Sequence, residues 1–496
     1  MNTKLLKQKI LDLAIRGKLT QQLKSDGTAR DLLTQISDER RKTRDERIGM
    51  SLKKSGVILS EAQSAKSKDL KQIIPLDKSE APFEIPENWE WVRLGDVAYI
   101  ASGSTPSKDC FVESGVPYLK MYNLRNQQID FEYKPQYIKR EIHEGKLARS
   151  KAKPGDVIMN IVGPPLGKVA LVPESLPECN FNQAAVLIRS HFCTNLMNQY
   201  IRYFLLQMDE INAINTKGTA GQENISLTQT QNIRLPLPPI AEQQRIVAKI
   251  EEAFAEIDAI EKNKELLKTH IKQTRKKILD LAIHGKLVPQ NKSDEPASVL
   301  LERITRDNPH YEKLTDVPFE IPDSWEWVKL GDVGKWQSGT TPSKSNSSYY
   351  KDGTIPWLNT GDLNDGIIRE IPKKVTEKAL AETSLRLNEA GSVCIAMYGA
   401  TIGKIGILSM PATTNQACCV CNNLKNFVNQ MWLFYFLKNH KQEFIEAGFG
   451  GAQPNISKEK ITATLFPLPP LAEQKRIVNK IDEIFASLDE ISLHLD

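Results

Sequence analysis

The feature that most constrains this chain is that it is written twice. Residues 82–97 read PFEIPENWEWVRLGDV and residues 318–333 read PFEIPDSWEWVKLGDV, 236 residues further on. SGSTPS at 102–107 returns as SGTTPS at 338–343, and Gly163-x-x-x-Gly167-Lys168 returns as Gly399-x-x-x-Gly403-Lys404, both with the same shift. Asn182-Gln183-Ala184 returns as Asn415-Gln416-Ala417, and LPLPPIAEQQRIVAKI at 235–250 as LFPLPPLAEQKRIVNKI at 465–481. An ordered set of repeated motifs means two copies of one structural unit. A chain of 496 residues has room for both, together with the segments that join them.

A third block repeats out of step. ILDLAIRGKL at 10–19 matches ILDLAIHGKL at 278–287, a shift of 268 residues, which exceeds 236 by 32 and places about that many extra residues in the first copy ahead of its WEW motif. The surplus falls near 37–81, a polar and basic stretch (SDERRKTRDERIG, then KSKDLKQ) that reads as a linker or an exposed helix. The order is then a helical segment (1–36), an insertion (37–81), a first domain (82–240), a central helical spacer (241–310), a second domain (318–470) and a C-terminal helical segment (471–496). Taken as domain, helix, tail, the second unit has its tail at the start of the chain. That is a circular permutation, which expects the two chain ends to meet and a pseudo-twofold arrangement to follow.

Proline closes each domain, at Pro236, Pro238 and Pro239 and again at Pro467, Pro469 and Pro470. A helix is predicted directly afterwards, with Glu242 and Glu473 in its first turn, where negative charge suits the helix dipole. Apolar residues then step by four and three: Ile246, Ile250, Ala253, Ile257, Ile260, Leu267, Ile271, Ile278 and Leu281, interrupted by Lys264 and Thr274. This is the 3.5-residue period of a coiled coil. Gly285 is placed to cap the end. A helix over 242–284 would extend roughly 65 Å, at about 1.5 Å per residue. Ile477, Ile481, Ile484, Leu488 and Ile491 repeat the seam, and Leu6, Ile10 and Leu13 continue it at the other end. The expectation is one continuous helix whose antiparallel partner is built from both chain ends.

Each domain is expected to be α+β. Alternating segments such as 156–162, 184–190 and 392–398 read as strands, and 196–214 and 428–446 as helices. The tryptophans of the two WEW motifs read as structural. Seven cysteines at irregular spacing do not make a disulfide framework in a chain this long. Cys418, Cys419 and Cys421 align with Ala185, Val186 and Ile188 of the first copy, so they read as a buried strand, with no metal. Hydrophobic residues make up 40% and charged residues 26%, the net charge is +5, and no run of about eighteen apolar residues suggests a membrane span. The first residues lack the apolar core of a signal peptide, which points to a cytoplasmic protein. The mild positive charge permits nucleic-acid binding without requiring it.

A catalytic site is not legible. The Gly163–Lys168 segment has three residues between its glycines and Val169 after the lysine, where a phosphate-binding loop needs four and then Ser or Thr. A tight turn between strands fits better, although Lys168 and Lys404 could still touch phosphate. The sequence shows no Asn/Asp-Pro-Pro-aromatic loop, no repeated nuclease carboxylate pair (Glu144-x-Lys146 stands alone) and no His-x-x-x-His. What the loops do hold is binding chemistry: Ser102, Thr105, Ser107, Lys108, Lys120, Tyr122, Asn123, Arg125, Lys217 and Gln222 in the first copy. In the second they hold Thr341, Ser343, Lys344, Asn359, Thr360, Asp362 and Gln453. Hydroxyls, amides and cations are what contacts to phosphates and base edges use. Positions shared by both copies, such as the loop glycines and the Asn-Gln pairs, read as scaffold.

Taken together, P-x-x-WEWV-x-LGDV, G-[ST]-TPS, NQA and L-P-P-[IL]-AEQ-[QK]-RIV, each present twice, with ILDLAI-x-GKL in the helical segments, resemble the specificity subunits of type I restriction-modification systems. The resemblance covers nearly the whole chain. It implies two target recognition domains that each read half of a bipartite site in double-stranded DNA, with the helices setting the separation. It also implies two docked modification (methyltransferase) subunits that use S-adenosylmethionine, and restriction subunits that use ATP and Mg for translocation and cleavage. No cofactor is expected in this chain, and no catalytic residue. The insertion at 37–81 departs from strict symmetry. Three alternatives stay open: the specificity subunit of a fused, type IIB-like restriction-methylation enzyme, a stand-alone DNA methyltransferase or nuclease, and a scaffold whose domains bind protein. The domains differ most at about 108–153 against 344–390, so different half-sites are expected.

Overall fold

The computed structural model describes residues 2–55, 72–163, 166–207, 224–307, 314, 316–448 and 455–495. The chain divides into two compact units, Met1–Lys262 and Asn263–Asp496. In the first, α1 (Thr3–Ile15) and α2 (Ala29–Ser55) precede β1 (Glu90–Arg93), the single turn α3 (Leu94–Val97), β2 (Ala98–Ser102), β3 (Phe111–Val112), β4 (Val116–Leu119), β5 (Leu124–Arg125), β6 (Gln128–Ile129) and β7 (Tyr137–Ile138). Then come α4 (Arg140–Glu144), β8 (Val157–Asn160), β9 (Val169–Leu171), β10 (Asn180–Phe181), β11 (Ala185–Ser190), α5 (Thr194–Leu206), α6 (Leu227–Gln231), β12 (Arg234–Leu237) and the start of α7 (Ile240–Ile283). An antiparallel sheet ordered β2-β11-β8-β9 forms one layer, a mixed sheet ordered β10-β4-β7-β3 a second, and β1 pairs with β12 where the chain enters and leaves the domain.

The second unit holds the remainder of α7, then α8 (Ala297–Asp307), β13 (Glu326–Lys329), α9 (Leu330–Val333), β14 (Lys335–Ser338), β15 (Ile355–Leu358), β16 (Gly366–Ile368), β17 (Lys374–Val375) and α10 (Glu377–Glu382). These are followed by β18 (Val393–Ala396), β19 (Ile405–Leu408), β20 (Thr413–Thr414), β21 (Cys418–Asn422), α11 (Gln430–Asn439), α12 (Lys441–Gly448), α13 (Lys458–Ala463), β22 (Leu465–Leu468) and α14 (Leu471–Leu493). Its main sheet, β14-β21-β18-β19-β16, has one strand more than its counterpart, and β17-β15-β20 and β13-β22 complete the layout. The α+β expectation holds, and the long helix falls within two residues of the range predicted for it. α2 runs across the boundary drawn at residue 36, so the start of the expected insertion is helix. Residues 56–71 of that stretch lie outside the described residues, and Ile73 beyond them is buried in the domain core.

The repeated motifs fasten tail, domain and helix together, once in each unit. Trp89 donates its indole N–H to the buried carboxylate of Glu242 at 2.8 Å, and Trp325 does the same to Glu473 at 3.0 Å. Gln22 and Gln290, from the tails, donate to the same two carboxylates at 2.5 and 2.6 Å. Burial raises the pKa of Glu473 above the ordinary carboxylate range, and the Trp325 hydrogen bond opposes that shift. Arg245 pairs with Asp26 at 2.6 Å and Arg476 with Asp294 at 2.5 Å, again joining helix to tail. The glutamines of the AEQ motifs, Gln243 and Gln474, reach back to the carbonyls of Pro238 and Pro469 at 2.9 and 2.8 Å. That contact fixes the angle at which each helix leaves its domain.

Each tail helix ends in the same way. Gly17 and Gly285 adopt φ of +65° and +66°. Lys18 and Lys286 donate backbone N–H to Leu13 and Leu281 at 2.8 Å, and the two glycines donate to Ala14 and Ala282. This is the Schellman arrangement that a C-terminal glycine supports, as expected for Gly285.

The apolar face of each tail then packs on the domain that follows it. Leu11, Ala14 and Ile15 are buried in the first core with Trp89, Val92, Ile246 and Ile250, and Leu279, Ala282 and Ile283 are buried in the second with Trp325, Val328, Ile477 and Ile481. In each unit the tail is thus packed both on the domain that follows it and on the helix that leaves that domain. Within each unit the tail and the helix after the domain run antiparallel. In the first, Thr3 and Lys7 meet Glu261 and Asp258. In the second, Arg275 meets Asp489 at 2.6 Å while Gln290 meets Glu473.

The cysteines sit on β21, whose residues alternate sides. Cys419 and Cys421 belong to the core that faces the helices, and Cys418 and Cys394 to a second core on the other face of the sheet. Side chains on opposite faces of a strand cannot converge on one ion. Burial pushes the Cys419 and Cys421 thiols up to about 12. Among the described residues no helix is long and apolar enough to cross a membrane.

Candidate nucleic-acid interface

The loops nominated from sequence lie at the ends and edges of the two central sheets, and the structure sorts their side chains. In the first domain Ser102 ends β2, and the loop after it folds over the Asn-Gln motif: Gly103 and Ser104 donate backbone N–H to Ala185 and Phe181. A Cβ at Gly103 would stand 2.2 Å from the Asn182 carbonyl, so this glycine is required by close backbone approach. Exposed Thr105 hydrogen-bonds Gln183, and its hydroxyl accepts from Tyr118 at 3.2 Å. Ser107 and Lys108 are exposed. Gly339 repeats the Gly103 geometry, with the Thr414 carbonyl 2.2 Å from a built Cβ. Thr341 is half-buried there, and Ser343 and Lys344 are exposed.

Two nominated residues hold framework turns. Asn123 is buried, accepts the Lys120 N–H at 2.9 Å and donates to the carbonyls of Asp130 and Tyr133 at 3.0 and 2.9 Å. Asp362 holds the equivalent turn, accepting the Asn359 N–H at 2.8 Å. Both short polar side chains satisfy a backbone donor, as turns require. Lys120 and Asn359, which open these turns, are half-buried, and the Lys120 ammonium lies 5.8 Å from the Phe111 ring. Thr360 and Tyr122 are half-buried, and Tyr122 donates its hydroxyl to the Lys134 carbonyl at 3.2 Å. Arg125 is exposed at the tip of the β5–β6 hairpin.

Lys168 and Lys404 follow the glycine turns that link β8 to β9 and β18 to β19. Gly163, Gly167, Gly399 and Gly403 all take positive φ there. This is a strand-to-strand turn, as read from the sequence, and both lysines are half-buried. Lys217, Gln222 and Gln453 lie outside the described residues.

The spacer residues divide in the same manner. Ile246, Ile250, Ile257, Ile271, Ile477 and Ile481 are buried, and Ile278, Ile484 and Leu488 are half-buried. Ile260 and Leu267 are exposed, at 47% and 39%. Exposure at Ile260 and Leu267 flanks the interruption expected at Lys264. Periodicity missed Phe254 and Phe485. Each meets a domain tyrosine edge to face at 5.9 Å (Tyr203 and Tyr435) and lies beneath a tail cation (Lys7 and Arg275).

One polar cluster had no sequence signal. His143, Glu144 and Glu178 offer ligand atoms within 4.8 Å of one another. The buried imidazole bonds Asn180 through Nδ1 at 2.6 Å and faces Glu178 through Nε2 at 3.3 Å, while Glu144 pairs with Lys151. The contacts cross-link α4 to β10, and the two carboxylates are half in solvent.

The comparisons with known proteins agree with this duplicated layout. Residues 86–269 and 322–494 match the family of the type I restriction modification DNA specificity domain. The chain belongs to that family and carries its domain twice, as DNA-sequence-specificity subunits of type I restriction-modification systems do. Its curated relatives include the EcoAI specificity subunit of Escherichia coli, 24% identical across 98% of this chain and 90% of that protein. The EcoEI specificity subunit of the same species is 23% identical across 99% and 90%. A putative MjaX specificity subunit from Methanocaldococcus jannaschii is 25% identical across 81% and 88%. Among solved structures, a chain of a type I R-M system matches with a TM-score of 0.56 at 21% identity, covering 84% of this chain and 94% of that one. The HsdS subunit from Thermoanaerobacter tengcongensis matches with a TM-score of 0.54 at 20% identity, with the same coverage. At these identities the structural likeness establishes the fold.

Proposed function

We propose that this chain is a non-catalytic reader, in which each domain recognises one half of an asymmetric bipartite site in double-stranded DNA. In this reading the helices form an antiparallel spacer that sets the distance between half-sites and docks two modification subunits, with restriction subunits completing the complex. S-adenosylmethionine, ATP and Mg belong to those partners, and the complex works in the cytoplasm. The observation that carries the reading is the division of labour within the duplicated unit. The Trp–Glu, Arg–Asp and Gly–Pro contacts that mount each domain on its helices are the same in both copies, while the segments displayed between them differ. Two weak readers on one support bind as a single tight one through effective concentration.

The test is to exchange residues 108–235 for the matching segment of another family member, assemble the chain with its modification subunits, and sequence the methylated positions. One half-site is expected to change and the other to persist. A change in both, or a single palindromic target for the native chain, would overturn the two-reader arrangement. Methyl transfer by the purified chain alone would overturn the non-catalytic assignment.

A further inference from the structure

The two domains share a framework turn and then part company. After Lys120–Asn123 the first domain makes the β5–β6 hairpin, with Leu124 opposite Ile129 and Arg125 opposite Gln128. After the equivalent Asn359–Asp362 turn the second domain makes no hairpin. Its chain runs into β16, which joins the main sheet parallel to β19. A hairpin needed for folding would recur in both copies. This one does not, so the shared framework does not depend on it.

The hairpin is strained at its tip and anchored at its base. Asn126 and Gln127 both take positive φ, +49° and +58°, which makes a two-residue type I′ turn. Asn tolerates this conformation, and Gln127 is held in it by its contact with the Val169 N–H, as Asp365, at φ +56°, is by its contact with the Ile405 N–H. At the base, Leu124 is buried, Gln127 accepts the Val169 N–H at 2.8 Å, and Asn123 ties down the chain that follows. The side chains left over are exposed: Arg125, Asn126 and Gln128. Arg125 does not trail into solvent. Its guanidinium carbon lies 4.2 Å from the centre of the exposed Tyr133 ring, Tyr133 packs edge to face on Tyr122, and Lys134 flanks the same ring at 5.3 Å. The Arg125 Nε also lies 4.0 Å from the Asp130 carboxylate, which leaves the two terminal NH2 groups of the guanidinium to form a fork of donors at the ring edge.

We propose that the hairpin at 124–129 is the base-reading element of the first domain. Arg125 addresses a guanine, Asn126 and Gln128 an adjacent adenine, and Lys134 a backbone phosphate. This rests on the function proposed above and assigns it to residues. A two-stranded ribbon fits the major groove, where Arg pairs with guanine and Asn or Gln with adenine through two hydrogen bonds each.

The full chain, assembled with its modification subunits, is to be challenged with a pool of duplexes randomised across the target, and the methylated sequences read out. Arg125→Ala and Arg125→Lys are both expected to relax one position of one half-site by roughly tenfold or more, because lysine keeps the charge but lacks the fork. Asn126→Ala is expected to relax the neighbouring position. Lys134→Ala is expected to weaken methylation evenly and leave the motif intact. The intact second half-site shows in the same reaction that each variant is folded and assembled. An Arg125→Ala enzyme as selective as the parent at every position, or one weakened evenly without loss of selectivity, would overturn the hairpin assignment while the two-reader function stood. A parent complex that methylates without sequence preference would instead overturn the function on which it rests.

Discussion

Gly285 and Gly399 form a matched pair for measuring how tightly the tail is held to its domain. Both lie in the second unit, both have φ of +66°, and both can be changed to alanine. At Gly399 an added Cβ meets nothing within 4 Å, so Gly399→Ala carries only the cost of left-handed backbone, about 1 kcal/mol. At Gly285 the same atom would stand 2.4 Å from Pro322 Cγ and 2.7 Å from Cδ, with Trp325 at 3.3 Å. The proline ring cannot swing aside, and overpacking of this kind adds about 2 kcal/mol. For a unit of this size each kcal/mol lowers the melting temperature by about 3 °C. Gly399→Ala should therefore melt about 3 °C below the parent and Gly285→Ala about 9 °C below, in thermal or urea unfolding followed by circular dichroism. Gly17→Ala should reproduce the larger effect in the first unit, since Pro86 Cγ would lie 2.3 Å from its Cβ. Equal losses at Gly285 and Gly399 would refute the argument that the tail is clamped by the Pro–Trp corner.

Three further outcomes follow from the same contacts. Trp325→Phe removes the indole donor from buried Glu473, a loss of about 1–3 kcal/mol. The folded-state pKa of Glu473 is raised by burial, so its contribution to stability is complete below the unfolded carboxylate range and is lost as pH rises through the folded value. The Trp325→Phe penalty should accordingly be larger in melts at neutral pH than at pH near 4, and Glu473→Gln should flatten that dependence. Asp26 has its pKa lowered, first by the Arg245 hydrogen bond, so its contribution is present above the ordinary carboxylate value and fades as acid titrates the folded group. Asp26→Asn should be less stable than the parent at neutral pH and converge with it in acid. Finally, a native thiol titration should show one fast cysteine, the exposed Cys193, with the other six reacting only on unfolding.

Much of the architecture was legible because it is repeated. The WEW and AEQ motifs marked the domain edges, and their partnership, indole to carboxylate and glutamine to proline carbonyl, explains why both are present in each copy. The face of the tail was not legible. Leu5, Leu6, Ile10, Leu11, Leu13, Ala14 and Ile15 place apolar groups on more than one side of α1, and a period alone cannot choose among them. The structure buries Leu11, Ala14 and Ile15 and leaves Leu5 and Leu6 exposed. The same ambiguity hid Phe254 and Phe485, which lie four residues after Ile250 and Ile481 on the same helix face and pack on domain tyrosines. The turn-holding roles of Asn123 and Asp362 were not legible because short polar side chains in loops serve both turns and ligands. Their shared place, three residues after Lys120 and Asn359, is the signal that would have identified them as caps.

Duplication also explains where the two copies were free to diverge. A residue that joins tail or domain to helix has a polar partner on another element, so replacing it leaves that partner unpaired. Trp89 and Trp325, Glu242 and Glu473, and Asp26 and Asp294 are constrained in this way. The chain between the framework turn and the next core strand has only its base to satisfy. In one copy that base is met by Leu124, Gln127 and Asn123 and the excess becomes a hairpin. In the other, Asp365 accepts the Ile405 N–H at 3.1 Å, binds Lys441 at 2.7 Å, and the excess becomes a fifth strand. The framework thus tolerates two unlike solutions at one position without altering how either domain is mounted. On the function proposed here, such a framework would change what it reads on one side while its partners see the same helices. Deleting Arg125–Gln128 and rejoining the chain should then leave assembly with modification subunits intact while blunting one half-site. Loss of assembly from that deletion would show that reader and mounting are not separable.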